Sequence, residues 1–559
     1  MQLTGTSVLP RVAAFVLVAG LAACTQEDAP RAVPTRTVPT PTKTTERPVP
    51  VASERWFRDA CDLSIPILRR IRRGYAPDRS PDVMFVPKLP HYFEGFAHAG
   101  PWPYLQRVPF AFYGPGILES AGSVSAAREV TMADLAPTVA ELIGAELPSG
   151  RPGRPVADVT DAVAPDAATP TLVVTAVMDG GGWNVLERWP RRWPFLGRMM
   201  GEGISVTNAT VGSSPSVTPP IHATLGTGTF PRDHGIVDIP VRDGDVVEDS
   251  WEGENPSNLA VTTLADEYDL ATDNRAVIGM IGESRWHLGM IGHGAAHEGG
   301  DRDIAVLSDL DSAGGMYTNE RFYELPGYVE DRELFADLVD DVDLWDGVDD
   351  GTWRGRDLSD LEDLRFTPVW AAYQRPHIEE VIEREGFGED DVADLLFLNY
   401  KFIDHAGHKF TLDSPEMERA VAMTDNSLRV LVDQLDETVG EGEWILVITA
   451  DHGVQPLPPR GRLIRQNPLS ADVEERFGAE QDRLVLEDRA LGIWLARDYA
   501  AGIGITVEEI ARYLNDYSIG DDLRPGETLR PYWSADERLF EAAFPSRYLD
   551  EIWDCATGP

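Results

Sequence analysis

The chain has 559 residues and a formal net charge of −44, with 93 acidic and 49 basic side chains. This length is enough for one large α/β domain with insertions or for two or three smaller domains. The acidic excess argues against a basic surface that binds a nucleic-acid polymer or anionic lipid.

The first 24 residues are typical of a bacterial lipoprotein signal peptide. Arg11 precedes the apolar stretch 12–22, and Leu21-Ala22-Ala23-Cys24 fits a lipobox in which Cys24 would be lipidated. An ordinary secretory signal or a membrane anchor is the alternative, although this stretch is shorter than the roughly 20 residues of a spanning helix. We therefore expect an extracytoplasmic lipoprotein of the bacterial cell surface that contacts the membrane through its lipid anchor only.

Composition divides the rest of the chain into four segments. Residues 25–52 are rich in Pro and Thr and are predicted to be a disordered tether. Residues 53–147 contain two predicted strands, at 80–87 and 109–113, and a predicted helix at 130–144. Residues 148–170 are rich in Pro and Ala and are predicted to be a linker. Residues 171–559 are predicted to form the main part of the fold.

Apolar runs alternate with helical patterns through residues 171–460, which predicts an α/β fold with a mostly parallel central sheet. The runs lack period-two alternation, so both faces of the sheet should be covered by helices. Residues 240–390 are more acidic and less regular and are predicted to be a cap or insertion over the site. Ligands of open α/β sheets bind at the carboxyl ends of the strands.

Acidic and histidine residues follow three of the apolar runs. Taken alone, each of these residues could have a structural role instead of binding a metal. Asp179, for example, precedes three glycines and could cap a strand-to-helix turn. The Asp-x-x-x-His spacing is more specific, because it can bring two ligands onto one helix face. The residues are Asp179, Asp404, His408, Asp451 and His452.

A threonine in a Thr-Pro-Pro sequence, Thr218, lies between the first two runs. Together these residues resemble the alkaline phosphatase superfamily, most closely its type I phosphodiesterase/nucleotide pyrophosphatase branch. The resemblance covers roughly residues 171–240, 390–460 and 75–150.

That family has one more histidine ligand, downstream of the Asp-His pair, but no histidine follows His452 in this chain. A matching pattern lies near the other end, where His98-Ala99-Gly100 is followed by the segment 107–116. The resemblance therefore implies a circularly permuted, alkaline-phosphatase-like fold in which residues 53–147 form the C-terminal part of the catalytic domain.

The resemblance also implies two divalent metal ions and a catalytic threonine. Oxygen and imidazole ligands without thiolates suit Zn²⁺ best, with Mn²⁺ or Fe as alternatives. A threonine hydroxyl is a weak nucleophile that metal coordination would activate, and cations would also reverse the field of an acidic protein. One metal would be bound by Asp179, Asp451, His452 and Thr218, and the other by Asp404, His408 and His98.

The function implied is metal-dependent hydrolysis of a small phosphoric ester, a diester rather than a monoester, through a phosphothreonine intermediate. Monoesters, sulfate esters and phosphonates are alternatives at the same site. A non-catalytic surface lipoprotein, an inactivated family fold used for binding, is the alternative from another class. The family has an asparagine in the helix after the threonine, where this chain has Ile221, and the candidate replacements are Asn208 and a backbone N–H.

Cys61 and Cys555 remain besides Cys24. A permutation creates new ends where the parent chain was continuous, so the ends should lie close together. Because an exported protein can keep a disulfide, we predict a Cys61–Cys555 bridge. Two unpaired buried thiols are the alternative.

Overall fold

The structure is a computed structural model that describes residues 51–93 and 98–558. The signal sequence, the lipobox with Cys24 and nearly all of the tether 25–52 lie outside the described residues. Within the described part of the chain, no helix has both the length and the apolar character needed to cross a membrane.

The strands of the described residues are short, and most have fewer than seven residues. In chain order they are β1 (Val83–Pro87), β2 (Tyr92–Phe93), β3 (Phe110–Tyr113), β4 (Gly122–Val124), β5 (Val130–Thr131), β6 (Leu172–Met178), β7 (Ile204–Val206), β8 (Ala209–Thr210), β9 (Pro240–Asp243), β10 (Val246–Asp249), β11 (Ile278–Gly282), β12 (Ile304–Asp309), β13 (Gly315–Tyr317), β14 (Thr352–Trp353), β15 (Arg356–Asp357), β16 (Asp394–Tyr400), β17 (Trp444–Thr449), β18 (Leu463–Ile464), β19 (Val485–Arg489), β20 (Gly492–Leu495) and β21 (Phe540–Pro545).

The helices range from single turns to the 24-residue α15. In chain order they are α1 (Arg55–Cys61), α2 (Ile65–Gly74), α3 (Pro103–Gln106), α4 (Leu135–Ile143), α5 (Ala157–Thr160), α6 (Trp183–Arg188), α7 (Pro194–Glu202), α8 (Thr218–Thr227), α9 (Pro231–His234), α10 (Leu264–Ala271), α11 (Arg332–Leu344), α12 (Leu361–Leu364), α13 (Val369–Arg384), α14 (Phe402–Lys409), α15 (Pro415–Thr438), α16 (Gln466–Phe477), α17 (Arg497–Gly502), α18 (Val507–Asp516) and α19 (Leu549–Thr557). Short 3₁₀ segments lie at Val51–Ser53, Met132–Asp134, Glu252–Glu254, Pro256–Asn258, Arg285–Met290, Gly294–Ala296 and Ser546–Tyr548.

The central sheet has nine strands in the order β13-β12-β11-β16-β6-β17-β3-β7-β4. The five adjacent strands from β12 to β17 are parallel, and Val174 of β6 lies opposite Leu396 on one side and Leu446 on the other. Antiparallel neighbours, β13 and β3, flank this parallel centre. The structure therefore confirms the predicted α/β fold, with a mixed sheet whose centre is parallel.

Helices cover both faces of this sheet. Val173 and Val177 of β6 pack in an apolar cluster with α4 and α8, whereas Leu172 and Val174 pack in a second cluster with α7 and α15. Successive side chains of a strand point to opposite faces, and each fully buried Val or Leu contributes roughly 1.5–3 kcal/mol. The carboxyl ends of the parallel strands are therefore held in a rigid frame.

A second sheet joins the two ends of the described chain. Its order is β19-β20-β1-β21, and β1 pairs antiparallel with both β20 and β21. Trp56 of α1 and Ile552 of α19 share one apolar cluster with Met84 of β1. A disulfide links Cys61 to Cys555, with their Cα atoms 5.8 Å apart. Strand pairing, apolar packing and a covalent bond thus hold the ends together.

The region predicted as a cap at 240–390 is divided in the structure. The prediction of one continuous cap is wrong for β11, β12 and β13, because these strands extend the central sheet beyond β16. The short strand Ile278–Gly282 contains two glycines and therefore carries little sequence signal. The charged stretch 337–363 lies outside the sheet, in α11, the β14–β15 hairpin and the start of α12.

The segment predicted as a linker, 148–170, is packed against the folded body. The Arg151 guanidinium donates to the carbonyl oxygens of Thr227 and Thr262, and Val156 and Val159 are buried. The helix predicted at 130–144 begins only at Leu135, because residues 130–131 form β5, which pairs with β8.

Replacing both cysteines, Cys61→Ser with Cys555→Ser, should lower the free energy of unfolding by about 2–5 kcal/mol, because the bridge closes a very long loop of the unfolded chain. Denaturant titration of the wild-type and double-serine proteins measures this difference. Wild-type protein unfolded in a reducing agent is the matched control and should resemble the variant. Alkylation of Cys61 and Cys555 in unfolded, unreduced wild-type protein would show that the bridge is absent.

Candidate active site

The three predicted aspartate ligands lie at the carboxyl ends of the adjacent parallel strands β16, β6 and β17. Asp179 follows β6, Asp404 lies in the first turn of α14 after β16, and Asp451 follows β17 by two residues. Because β6 lies between β16 and β17, the three carboxylates converge. All three are buried, with at most 2% of each residue exposed.

The turn after β6 depends on glycine. Gly180 has a φ of +74°, and a Cβ atom there would lie 3.2 Å from backbone atoms of Asp404. The Gly180 N–H donates to Asp451 Oδ1 at 3.0 Å. A side chain at this position would be strained and would separate two of the converging strand ends.

One group of predicted ligands consists of His98, Asp404 and His408, whose donor atoms lie within 4.8 Å of one another. His98 Nε2 is 3.5 Å from Asp404 Oδ1 and 3.3 Å from His408 Nε2. His98 Nδ1 is 2.8 Å from the carbonyl oxygen of Ser216, an acceptor that requires the proton on Nδ1. Burial lowers the pKa of His98 well below its usual value, so the ring is neutral and Nε2 presents a lone pair.

A second group surrounds His452. Its Nε2 lies 3.2 Å from Asp451 Oδ2 and 3.4 Å from Asp179 Oδ1, while Nδ1 is 3.0 Å from the Gly453 carbonyl oxygen. Burial disfavours the charged ring, but Asp451 and Asp179 outweigh it and raise the pKa of His452 to about 10. A proton and a metal ion are therefore alternatives for the same lone pair. The His452 and His98 rings stack with their centroids 3.5 Å apart, which places the two groups side by side.

Four of the facing atoms of these side chains have no hydrogen-bond partner within the described protein. Buried polar atoms normally have one, and each atom without a partner costs about 1–3 kcal/mol. Carboxylate oxygens and neutral imidazoles are ligands of divalent cations, so the residues present fit such ions. The unpartnered atoms are Asp179 Oδ1, Asp404 Oδ1, Asp451 Oδ2 and His452 Nε2.

Thr218 is the first residue of α8 and is also buried. A helix N-terminus normally offers several N–H groups to an anion, but Pro219 and Pro220 follow immediately and have none. An anion at Thr218 therefore depends on cations more than on helix amides.

Lys401 is a site residue to which no sequence pattern points. Its Nζ lies 2.8 Å from Asp179 Oδ2, 2.8 Å from Asp404 Oδ2 and 3.3 Å from Thr218 Oγ1. Burial alone would lower its pKa, but the carboxylates of Asp179 and Asp404 outweigh burial and raise the pKa above its usual value. A permanent positive charge therefore contacts the hydroxyl of Thr218. Its only sequence signal is its place between β16 and Asp404.

Two other buried histidines, His222 and His287, lie near Asp451. His222 Nε2 is 3.6 Å from Asp451 Oδ2, and the Nδ1 atoms of His222 and His287 are 3.2 Å apart. Ile221, at the position of the family asparagine, packs in the apolar core. Asn208 cannot replace that asparagine, because its side chain bonds to the backbone of residues 126 and 128.

A cavity of about 620 Å³ opens beside the site. Its walls are polar and carry both charge signs: Arg285 lines it, and Arg365 pairs with Asp311 there. The cavity reaches Lys401, Asp404 and His408. Of the predicted ligands, His408 is the most exposed. A small polar ester therefore has access to the metal-ligand groups.

A family model of type I phosphodiesterase/nucleotide pyrophosphatase matches residues 173–534, a range that contains every predicted ligand except His98. Alkaline phosphatase PafA of Elizabethkingia meningoseptica is 26% identical over 404 residues, which are 59% of this chain and 72% of that protein. Alkaline phosphatase PhoV of Synechococcus elongatus is 27% identical over 356 residues, which are 53% of this chain and 62% of that protein.

Among solved structures, the 1.7 Å crystal structure of wild-type PafA has a TM-score of 0.52 at 21% sequence identity and covers 62% of this chain and 76% of that chain. This likeness shows a shared fold. The family implies divalent metal ions, and the described residues contain groups able to bind them. The matched region is more than half of the chain: the protein belongs to the type I phosphodiesterase/nucleotide pyrophosphatase family, a family of phosphoric ester hydrolases in the alkaline phosphatase superfamily.

Proposed function

We propose that this protein is a metal-dependent phosphatase that hydrolyses small phosphate monoesters through a phosphothreonine intermediate on Thr218. One observation carries the proposal. The buried hydroxyl of Thr218 lies in contact with Lys401, beside three carboxylates and three imidazoles, and Asp179 Oδ1, Asp404 Oδ1, Asp451 Oδ2 and His452 Nε2 among them have no hydrogen-bond partner in the described protein.

Two Zn²⁺ ions are the proposed cofactors. One would be held by Asp179, Asp451, His452 and Thr218. The other would be held by His98, Asp404 and His408. When bound, such ions supply positive charge to the attacking and leaving oxygens of an in-line displacement.

Thr218 and Lys401 perform the first step in this scheme. Thr218 Oγ1 gives up its proton to solvent and attacks phosphorus as the bond to the ester oxygen breaks, and the alcohol leaves with a proton from solvent. Water then attacks the phosphothreonine, which returns Thr218 and releases inorganic phosphate. Lys401 Nζ, 3.3 Å from Oγ1, stabilises the negative charge that the hydroxyl acquires as it loses its proton.

The charge of Lys401 also favours monoesters over the diesters suggested by the sequence pattern. A phosphate monoester carries one more negative charge than a diester, and Lys401 adds a cation beside the nucleophile. The relatives PafA and PhoV are named alkaline phosphatases. Diesters are the second candidate substrates, because the matching family model is described as a type I phosphodiesterase.

We also infer that the chain order is circularly permuted. His98 lies 75 residues before the family match begins at residue 173, yet its ring faces Asp404 and His408. The strand that follows it, β3, pairs directly with β17 in the central sheet. Export and lipidation at Cys24 remain predictions of the sequence.

Thr218→Ala should reduce hydrolysis of a chromogenic phosphate monoester by roughly 10³-fold or more, because the nucleophile is removed. Metal content measured by mass spectrometry should change little, since other ligands remain. Thr218→Ser restores a hydroxyl and should keep part of the activity. Wild-type activity in the alanine variant would exclude Thr218 as the nucleophile.

His98→Ala should lose about one equivalent of bound metal per chain and most of the activity, since one group loses one of its three ligands. His297→Ala is a suitable control, because His297 lies outside the site and bonds to the adjacent backbone. Retention of both metals in the His98 variant would contradict its assignment as a ligand and the permuted chain order.

Lys401→Gln should lower kcat/KM for monoesters by about 10²–10³-fold, as expected when one preorganised donor is lost, with bound metal retained. A panel of matched monoester, diester and sulfate ester substrates measures the effect. The loss for diesters should be smaller, because they carry less charge. An equal loss for both, or a higher wild-type kcat/KM for diesters, would reject the monoester preference.

A further inference from the structure

A second group of acidic side chains lies apart from the Thr218 site. Asp269 lies on α10, and Asp301 and Asp303 lie immediately before β12. One carboxylate oxygen from each lies within 4.8 Å of the other two. Asp269 is 4% exposed and Asp303 is 5% exposed, so two of the three charges are removed from water.

These carboxylates lack compensating positive charge. Within residues 51–93 and 98–558, no basic side chain pairs with any of the three, and buried Asp269 Oδ1 has no hydrogen-bond partner. Burying an ionised carboxylate without a partner costs several kcal/mol. The unpartnered Oδ1 belongs to a buried carboxylate of this three-aspartate group, and such an oxygen indicates a position for a cation.

The electrostatic consequences agree with the geometry. Burial, with a smaller contribution from the charge of Asp301, raises the pKa of Asp269 to about 6. Burial and the charges of Asp266, Asp269 and Asp301 raise the pKa of Asp303 well above its usual value. The ionised cluster is therefore unfavourable at neutral pH unless a cation neutralises it.

The chemistry of the cluster selects a hard cation. It contains oxygen donors only, with no imidazole or thiolate of the kind that favours Zn²⁺. Ca²⁺ accepts six to eight oxygens in flexible arrangements, whereas Mg²⁺ requires near-ideal octahedral geometry and keeps several waters. We propose that Asp269, Asp301 and Asp303 form a Ca²⁺ site, whose remaining ligands would be backbone oxygens or water.

This site would join the end of α10 to the start of β12. Asp266, one helical turn before Asp269, accepts from the N–H of His293 at 2.7 Å and from its Nδ1 at 2.9 Å. His293 follows the 3₁₀ segment Arg285–Met290, whose first residue lines the cavity at the active site. Calcium should therefore stabilise the fold next to the catalytic cavity without taking part in the reaction.

The test uses full-length protein stripped of metal and reloaded with two equivalents of Zn²⁺, so that the catalytic ligands are supplied separately. Ca²⁺ is then titrated by calorimetry, and Tm is measured with and without it. We expect one Ca²⁺ per chain and a rise in Tm of about 2–5 °C at a hundredfold excess over Kd. Mg²⁺ should produce a smaller rise.

Asp269→Asn and Asp303→Asn should each weaken Ca²⁺ binding at least tenfold. Without Ca²⁺, both variants should have a Tm equal to or above that of the wild type, because repulsion between carboxylates is removed. Asp340→Asn changes an exposed aspartate on α11 and should respond to Ca²⁺ as the wild type does. No Ca²⁺-dependent rise in the wild type, or an undiminished rise in the Asp269 and Asp303 variants, would overturn the proposal.

Discussion

The buried negative charge at the carboxyl ends of β6, β16 and β17 is the constraint around which this molecule is built. Asp179, Asp404 and Asp451 meet there with at most 2% of each residue exposed, and burying such charges is favourable only when cations accompany them. Lys401 supplies one positive charge. Helix α8 supplies few N–H groups, because two prolines follow Thr218. Bound metal ions would neutralise the remaining negative charge of the three aspartates. The same ions would therefore stabilise the fold around the site and take part in ester hydrolysis.

The same constraint explains why the two ends of the folded body are held together. The predicted ligand groups are complete only when His98, from the early part of the chain, lies against His408 and His452. The segment that carries it is held by β3 pairing with β17 and by β1 pairing with β21, and the Cys61–Cys555 bridge closes the same region. A residue from outside the family match at 173–534 therefore lies beside residues from within it.

Sequence patterns were sufficient for the fold class and for the convergence of the acidic side chains that follow strands, because long apolar runs mark buried parallel strands and their ends meet at one edge. They could not reveal Lys401, since its role depends on contacts with Asp179 and Thr218, far away in the chain. They also missed that part of the region 240–390 belongs to the sheet, because β11 is short and contains glycine. The proximity of Asp269 to Asp303 likewise arises only from tertiary packing.

The most direct test of a two-metal site completed by His98 is anomalous diffraction, recorded at the zinc absorption edge from crystals of the zinc-loaded protein. We expect two anomalous peaks roughly 4 Å apart, one bound by His98, Asp404 and His408 and the other by Asp179, Asp451 and His452. A single peak, or two peaks with His98 bound to neither, would contradict this account of the site.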